Sequence, residues 1–115
     1  MKAKAIEMLK EVSTATSLVT TAAYATNMET ILERVESAMK IIENYLENEK
    51  DIQELYNLVQ LIQQYANEAK KYVNKNDLLS EARYKECVDL SRNICKKIAE
   101  KLWEIRSRIK LGGDR

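Results

Sequence analysis

Two cysteines, Cys87 and Cys95, are the only soft nucleophiles in a chain that contains no histidine. A reactive thiolate needs a lowered pKa and usually a base beside it. Lys96 and Lys97 follow Cys95 directly, but lysines flank many structural thiols, so both cysteines read as buried and inert. Without histidine there is no His-based triad, phosphorelay histidine, His-ligated haem or Glu-x-x-His metal pair. Zinc would have to be held by two distant thiols plus carboxylates, a poor donor set. The only two glycines are Gly112 and Gly113, so there is no glycine-rich phosphate loop and no calcium loop. Carboxylates recur at helical spacing in Glu29/Glu33/Glu36 and Glu43/Glu47, a pattern typical of a solvated helix face rather than of acid–base chemistry. No catalytic, cofactor or metal residue is expected, and the chain reads as non-enzymatic.

Two groups of residues remain that could bind something. The segment STATSLVTTAAYAT carries Ser13, Thr14, Thr16, Thr20 and Thr21. Small side chains let helices approach closely. The sharper reading is a cavity lined by Ser13, Thr16 and Thr20 that holds a small ligand. The second group lies near the C-terminus. At about 100° per residue, Arg92, Lys96, Trp103, Arg106 and Lys110 fall within roughly 80° of one another on a helix. The apolar stripe Cys87, Ile94, Ile98, Leu102, Ile105 and Ile109 points elsewhere. The only tryptophan thus stands on a basic face, and Trp and Arg are favoured where proteins bind each other. The plain alternative is that Trp103 is a partly exposed lid over a neighbouring helix. Nucleic acid or anionic lipid fits less well, because Glu100 and Glu104 dilute the positive field.

The elements that must position these residues are helices. With 115 residues, 45% apolar and 32% charged, the chain has the size and composition of one folded domain. The absence of proline and the position of both glycines leave little for β-turns. Helices are predicted over about 2–25, 28–47, 51–73 and 77–110 from apolar residues at three- and four-residue steps. Thr26 with Glu29 and Asp51 with Glu54 fit capping boxes, and Asn76 or Asp77 can cap the last helix. Ile42, Val59, Ile62, Ile94 and Ile98 sit at the centres of their stripes. Gly112-Gly113 ends the last helix, leaving 112–115 as a flexible tail.

Short turns imply an up-down-up-down four-helix bundle. A three-helix bundle is the alternative if the threonine-rich first segment does not dock, since threonine is a mediocre helix former. The stretch YANEAKKYVNKNDLLSEARYKE resembles the helical hairpin of tetratricopeptide-type repeats. That resemblance implies a helical hairpin and occurs once, whereas a solenoid needs several copies.

These features point to a scaffold or protein–protein interaction module. A small-ligand-binding bundle using the hydroxyl face is the alternative. A de novo designed origin fits the lack of Pro, His and Phe; two cysteines, four methionines and glycine-free turns speak against it. No run of apolar residues is long enough to span a membrane. The opening MKAKAIEMLKEV is charged and lacks a signal core, so a cytoplasmic, reducing compartment is expected.

Charge is uneven along the chain. Residues 27–54 hold eight acids and three bases, whereas 91–115 hold eight bases and three acids. If the third helix pairs with 78–99, then 102–111 overhangs with Leu102, Trp103, Ile105, Ile109 and Leu111 bare. A homodimer through this end is then expected, with Trp103 and Ile109 at its centre and Glu43, Glu47 and Glu49 of the copy facing its bases.

Cys87 and Cys95 stand roughly 12 Å apart along one helix, too far for a mutual disulfide. Unfolded, unreduced protein treated with iodoacetamide should therefore gain two carbamidomethyl groups by intact mass. An unmodified mass lighter by two protons would refute the spacing argument.

Overall fold

Three polar side chains start three of the helices. Asn27, Asn48 and Asp77 have extended backbones and accept hydrogen bonds from the amides of Thr30, Asp51 and Ser80. Each satisfies one of the free N–H groups that every helix start leaves behind. The computed structural model of the chain describes residues 2–109, with side chains over 4–109. In it α1 spans Lys2–Ala22, α2 Met28–Ile42, α3 Glu49–Ala69 and α4 Leu78–Ser107, and no strand occurs among the described residues. Two expected caps are corrected. Asn27 rather than Thr26 caps α2, and Asn48 caps α3, which places Asp51 inside the helix.

The helices end earlier than their stripes suggest. α1 stops at Ala22 and tightens through Ala23, Tyr24 and Ala25, whose amides bond three residues back. α2 stops at Ile42 because the chain peels away to tuck Leu46 into the core and to set the Tyr45 hydroxyl on Glu7. After α3, residues 70–77 form a non-helical connector in which Asn74 adopts φ 70°. Asparagine tolerates that left-handed conformation in a chain with no glycine to spare there. The expected helix end at Gly112-Gly113, together with Lys110 and Leu111, lies outside the described residues.

Cross-links show the antiparallel order. Lys4 meets Glu47 and Arg34 meets Thr21 between α1 and the α2 hairpin. Tyr56 meets Glu43 and Gln63 meets Glu36 between α2 and α3. Arg92 reaches Ala23 and Arg106 reaches Ser13, closing α4 against α1. The result is an all-α, single-domain four-helix bundle with its longest helix last. Val12, Ala15, Val19, Ile31, Val35, Ile42, Leu55, Ile62, Ile98 and Leu102 are fully buried. Val59 and Ile94 are also core residues, at 5% and 7% exposure.

The expected overhang of the α4 C-terminus does not occur. Leu102 is 0% and Ile105 5% exposed, and Ile109 packs against the core. Two causes shift the register. The non-helical connector runs beside the first turns of α4, so Asp51 of α3 stands level with Lys101 and Arg108. The start of α1 also covers this end, with Ala5 and Met8 facing Ile105 and Ile109 across a shared cavity of about 400 Å³. Bare apolar surface lies instead at the other end of α4, where Leu78 and Leu79 are 83% and 65% exposed.

Ile62 and Ile98 fill the middle of the core. Truncating either to Ala is expected to cost about 2–5 kcal/mol in urea unfolding. A loss below about 0.5 kcal/mol at both positions would show that these helices do not meet there.

Candidate interaction face

The two groups of binding residues seen in the sequence come together. Ser13, Thr16, Ser17, Thr20 and Thr21 of α1 line one groove with Trp103 and Arg106 of α4, about 510 Å³ in volume. The contact follows from the antiparallel register, which sets Ser13 beside Arg106. The α1 side of the groove is shallow because its side chains are small.

The threonines are helical for a local reason. Thr16 donates its hydroxyl to the Val12 carbonyl at 2.7 Å and Thr20 to the Thr16 carbonyl at 2.8 Å. Thr14 and Thr21 bond back to Lys10 and Leu18 in the same way. Such bonds satisfy the hydroxyl within its own helix and consume its proton. Thr16 is moreover buried, at 7% exposure. Of the three residues expected to line a ligand cavity, Thr16 and Thr20 therefore offer only lone pairs. Ser13 already accepts a hydrogen bond from Arg106 Nε at 3.1 Å.

The basic face divides into different duties. Trp103 is 55% exposed, and the Arg106 guanidinium lies 4.7 Å from its ring centroid. Stacked on the ring and tethered to Ser13, that guanidinium is held in one orientation. Among the described residues no salt bridge engages it, so its terminal nitrogens remain to be used. Lys96 is exposed on the same side of α4. Arg92, in contrast, points into the bundle top and donates Nε to the Ala23 carbonyl at 2.8 Å. Together with Arg34 Nη1, 3.4 Å from the Thr21 carbonyl, it covers the negative end of α1, which has no base in its last turn. Ile109 belongs to the core side and Lys110 lies outside the described residues.

A second polar site went unseen in the sequence. Asp51, which the pattern marks as a cap, is buried with a side chain 8% exposed. Lys101 Nζ reaches Asp51 at 2.9 Å and Glu54 at 2.7 Å. Arg108 grips both Asp51 oxygens at 3.1 Å, a two-pronged fork. Burial alone would push the Asp51 carboxyl up; hydrogen bonds from Arg108 and Lys101 outweigh it and hold the pKa below its ordinary value. Glu54 and then Asp51 hold Lys101 well above the usual lysine range. The eight-base C-terminal segment thus meets part of the acidic stretch within its own chain. Only the spacing of Asp51 from the Leu55–Val59–Ile62 stripe could have signalled a core-facing acid.

The cysteines are free thiols, both buried. Burial pushes Cys95 up to about 11 and also raises Cys87. Among the described residues, no three metal-ligating side chains gather, and no helix is long and apolar enough to cross a membrane. Comparisons with protein-family models, curated proteins and solved structures find no match.

Asp51→Asn keeps the shape and removes the charge, leaving Arg108 without its partner. A loss of about 1.5–3 kcal/mol near neutral pH is expected. A depressed carboxyl pKa contributes stability that is complete above the unfolded value and is lost as pH falls through the folded one. The gap between wild type and variant in urea unfolding should therefore narrow sharply from pH 7 to about pH 2. An unchanged gap would show that the Asp51 charge is not what holds α3 to α4.

Proposed function

We propose that this chain is a non-enzymatic interaction module and that a partner protein docks in the Trp103–Arg106 groove. The observation that carries this reading is the guanidinium itself. It is fixed by Ser13 and Trp103, half-buried, and lacks an ion-pair partner among the described residues. A planar fork of donors held this way suits a carboxylate. The exposed Trp103 beside it offers the broad, rigid contact on which binding energy tends to concentrate. The partner segment therefore presents an Asp or Glu next to an apolar side chain.

The non-enzymatic part rests on chemistry. Both thiols are buried with raised pKa values, the chain has no histidine, and the shifted carboxylate Asp51 is already paired by two cations. The rival, a small-ligand site on the α1 hydroxyls, is weakened because the threonine protons already serve α1. A homodimer centred on Trp103 and Ile109 has lost its premise, since Ile109 faces the core.

Trp103 is the only tryptophan, so its fluorescence reports directly on the groove. Peptides selected from an unbiased display library should be enriched in Asp and Glu and should shift that emission. In isothermal titration calorimetry, which does not need the indole, Arg106→Ala and Trp103→Ala should each weaken the selected peptides by about tenfold or more. Equal binding to both variants would overturn the proposal. So would a small molecule retained by protein purified from cells, seen in native mass spectra and lost on Ser13→Ala.

A further inference from the structure

The exposed flank of α4 at its N-terminal end carries four residues at alternating spacings of four, three and four: Leu79, Arg83, Glu86 and Leu90. At about 100° per residue they fall within roughly 60° of one another, forming one stripe about three turns from end to end at 1.5 Å per residue. All four face solvent. Leu79 is 65% and Leu90 38% exposed, and the Arg83 and Glu86 side chains are 54% and 59% exposed. On the same helix Cys87, Val88 and Ile94 belong to the core, so the stripe borders the packed side of α4 without being part of it.

The order of residues along this stripe is symmetric. The midpoint of Leu79 and Leu90 is also the midpoint of Arg83 and Glu86, between Tyr84 and Lys85. A two-fold axis through that point, perpendicular to the helix, lays the stripe on an antiparallel copy of itself. Leu79 then meets Leu90 of the copy and Arg83 meets Glu86, and each contact occurs twice. Apolar groups fall on apolar groups and opposite charges on opposite charges. Spacings of four and three are those of the core seam in paired helices. Within one chain Arg83 and Glu86 form a solvent-exposed ion pair at 3.6 Å, a weak contact that each can share with a charge on the copy.

We infer that this stripe is a self-association surface, and that its occupant is a second copy of the chain, antiparallel at α4. A foreign helix would need apolar and charged residues at complementary positions but would not require the stripe to map onto itself. Self-complementarity in both hydrophobicity and charge is what a second copy demands. The patch is short, so the dimer is weak and fills at micromolar concentrations or above. This surface is separate from the Trp103 groove and does not depend on it.

Charge reversal tests the pairing. Sedimentation velocity over a concentration series should show wild-type monomer and dimer in exchange. Arg83→Glu sets two carboxylates against each other across the interface, and Glu86→Arg sets two guanidinium groups together. Each should weaken the dimer by about tenfold or more. The double exchange, R83E/E86R, should restore association to within about threefold of wild type. Trp103→Ala should leave it unchanged. These are exposed positions, and far-ultraviolet circular dichroism with urea unfolding checks that each variant keeps its fold. A wild type that stays monomeric at about 500 μM, where a dimer of micromolar affinity would be well populated, would overturn the inference. Single reversals without effect, or a double exchange that fails to restore the dimer, would overturn it equally.

Discussion

A helix end that is buried must find partners for its free backbone groups; in this bundle α4 supplies them for α1 and α2, and it clamps the start of α3 through a side-chain ion pair. Arg92 reaches the Ala23 carbonyl at the end of α1. The Tyr84 hydroxyl accepts from the Met28 amide, the first N–H of α2, at 3.0 Å. Lys101 and Arg108 hold Asp51 in the first turn of α3. These bonds are spread along nearly the whole of α4, and each sets the level at which one helix must begin or end. Apolar burial gives the bundle its stability, but burial is tolerant of sliding by a turn. The polar contacts are not, and they fix the register that puts Ser13 beside Arg106.

That register explains why the groove exists. Larger side chains on the outer face of α1 would fill it or push α4 away. Threonines are poor helix formers in isolation, yet here each can be satisfied within its own turn, so α1 keeps a continuous small-residue surface. The indole of Trp103 then has room to lie over the edge of α1 without entering the core. Sequence chemistry that weakens α1 as an isolated helix thus creates the recess that α4 decorates.

Much of this was legible from periodicity. The four helices, the core positions Ile42, Val59, Ile62, Ile94 and Ile98, and the outward Trp103 follow from three- and four-residue spacing, which survives errors of a few residues at helix ends. Helix ends themselves were less legible. Asn27 and Asn48 compete with neighbouring Thr26 and Asp51 for the same cap, and pattern alone does not rank them. Misplacing the start of α3 concealed Asp51 as a buried acid. The expected overhang fails for a related reason. Counting residues from the α3–α4 turn assumes that both helices reach it, whereas 70–77 is connector and α1 returns beside the far end of α4. Lateral pairing in a bundle depends on turn conformation, and Asn74 at φ 70° carries no sequence mark that distinguishes it from Asn76.

The same register also decides where α4 is left uncovered. A helix of 30 residues cannot be matched along its whole length by partners of 21, 15 and 21 residues. The surplus could have fallen at either end; the connector at 70–77 and the start of α1 place it at the N-terminal end, and the Asp51 ion pairs hold that register. With Asp51 clamped level with Lys101 and Arg108, the C-terminal turns are enclosed and the N-terminal turns must project past α3. Leu78 and Leu79 are exposed for that reason rather than by local accident. The projecting end stands roughly 36 Å along the axis from Trp103, at 1.5 Å per residue, and on a different side of the helix. Occupying one surface therefore does not cover the other. A chain joined to its copy through the projecting turns would still present two open grooves, so that a partner carrying two acidic segments would gain affinity from linkage alone.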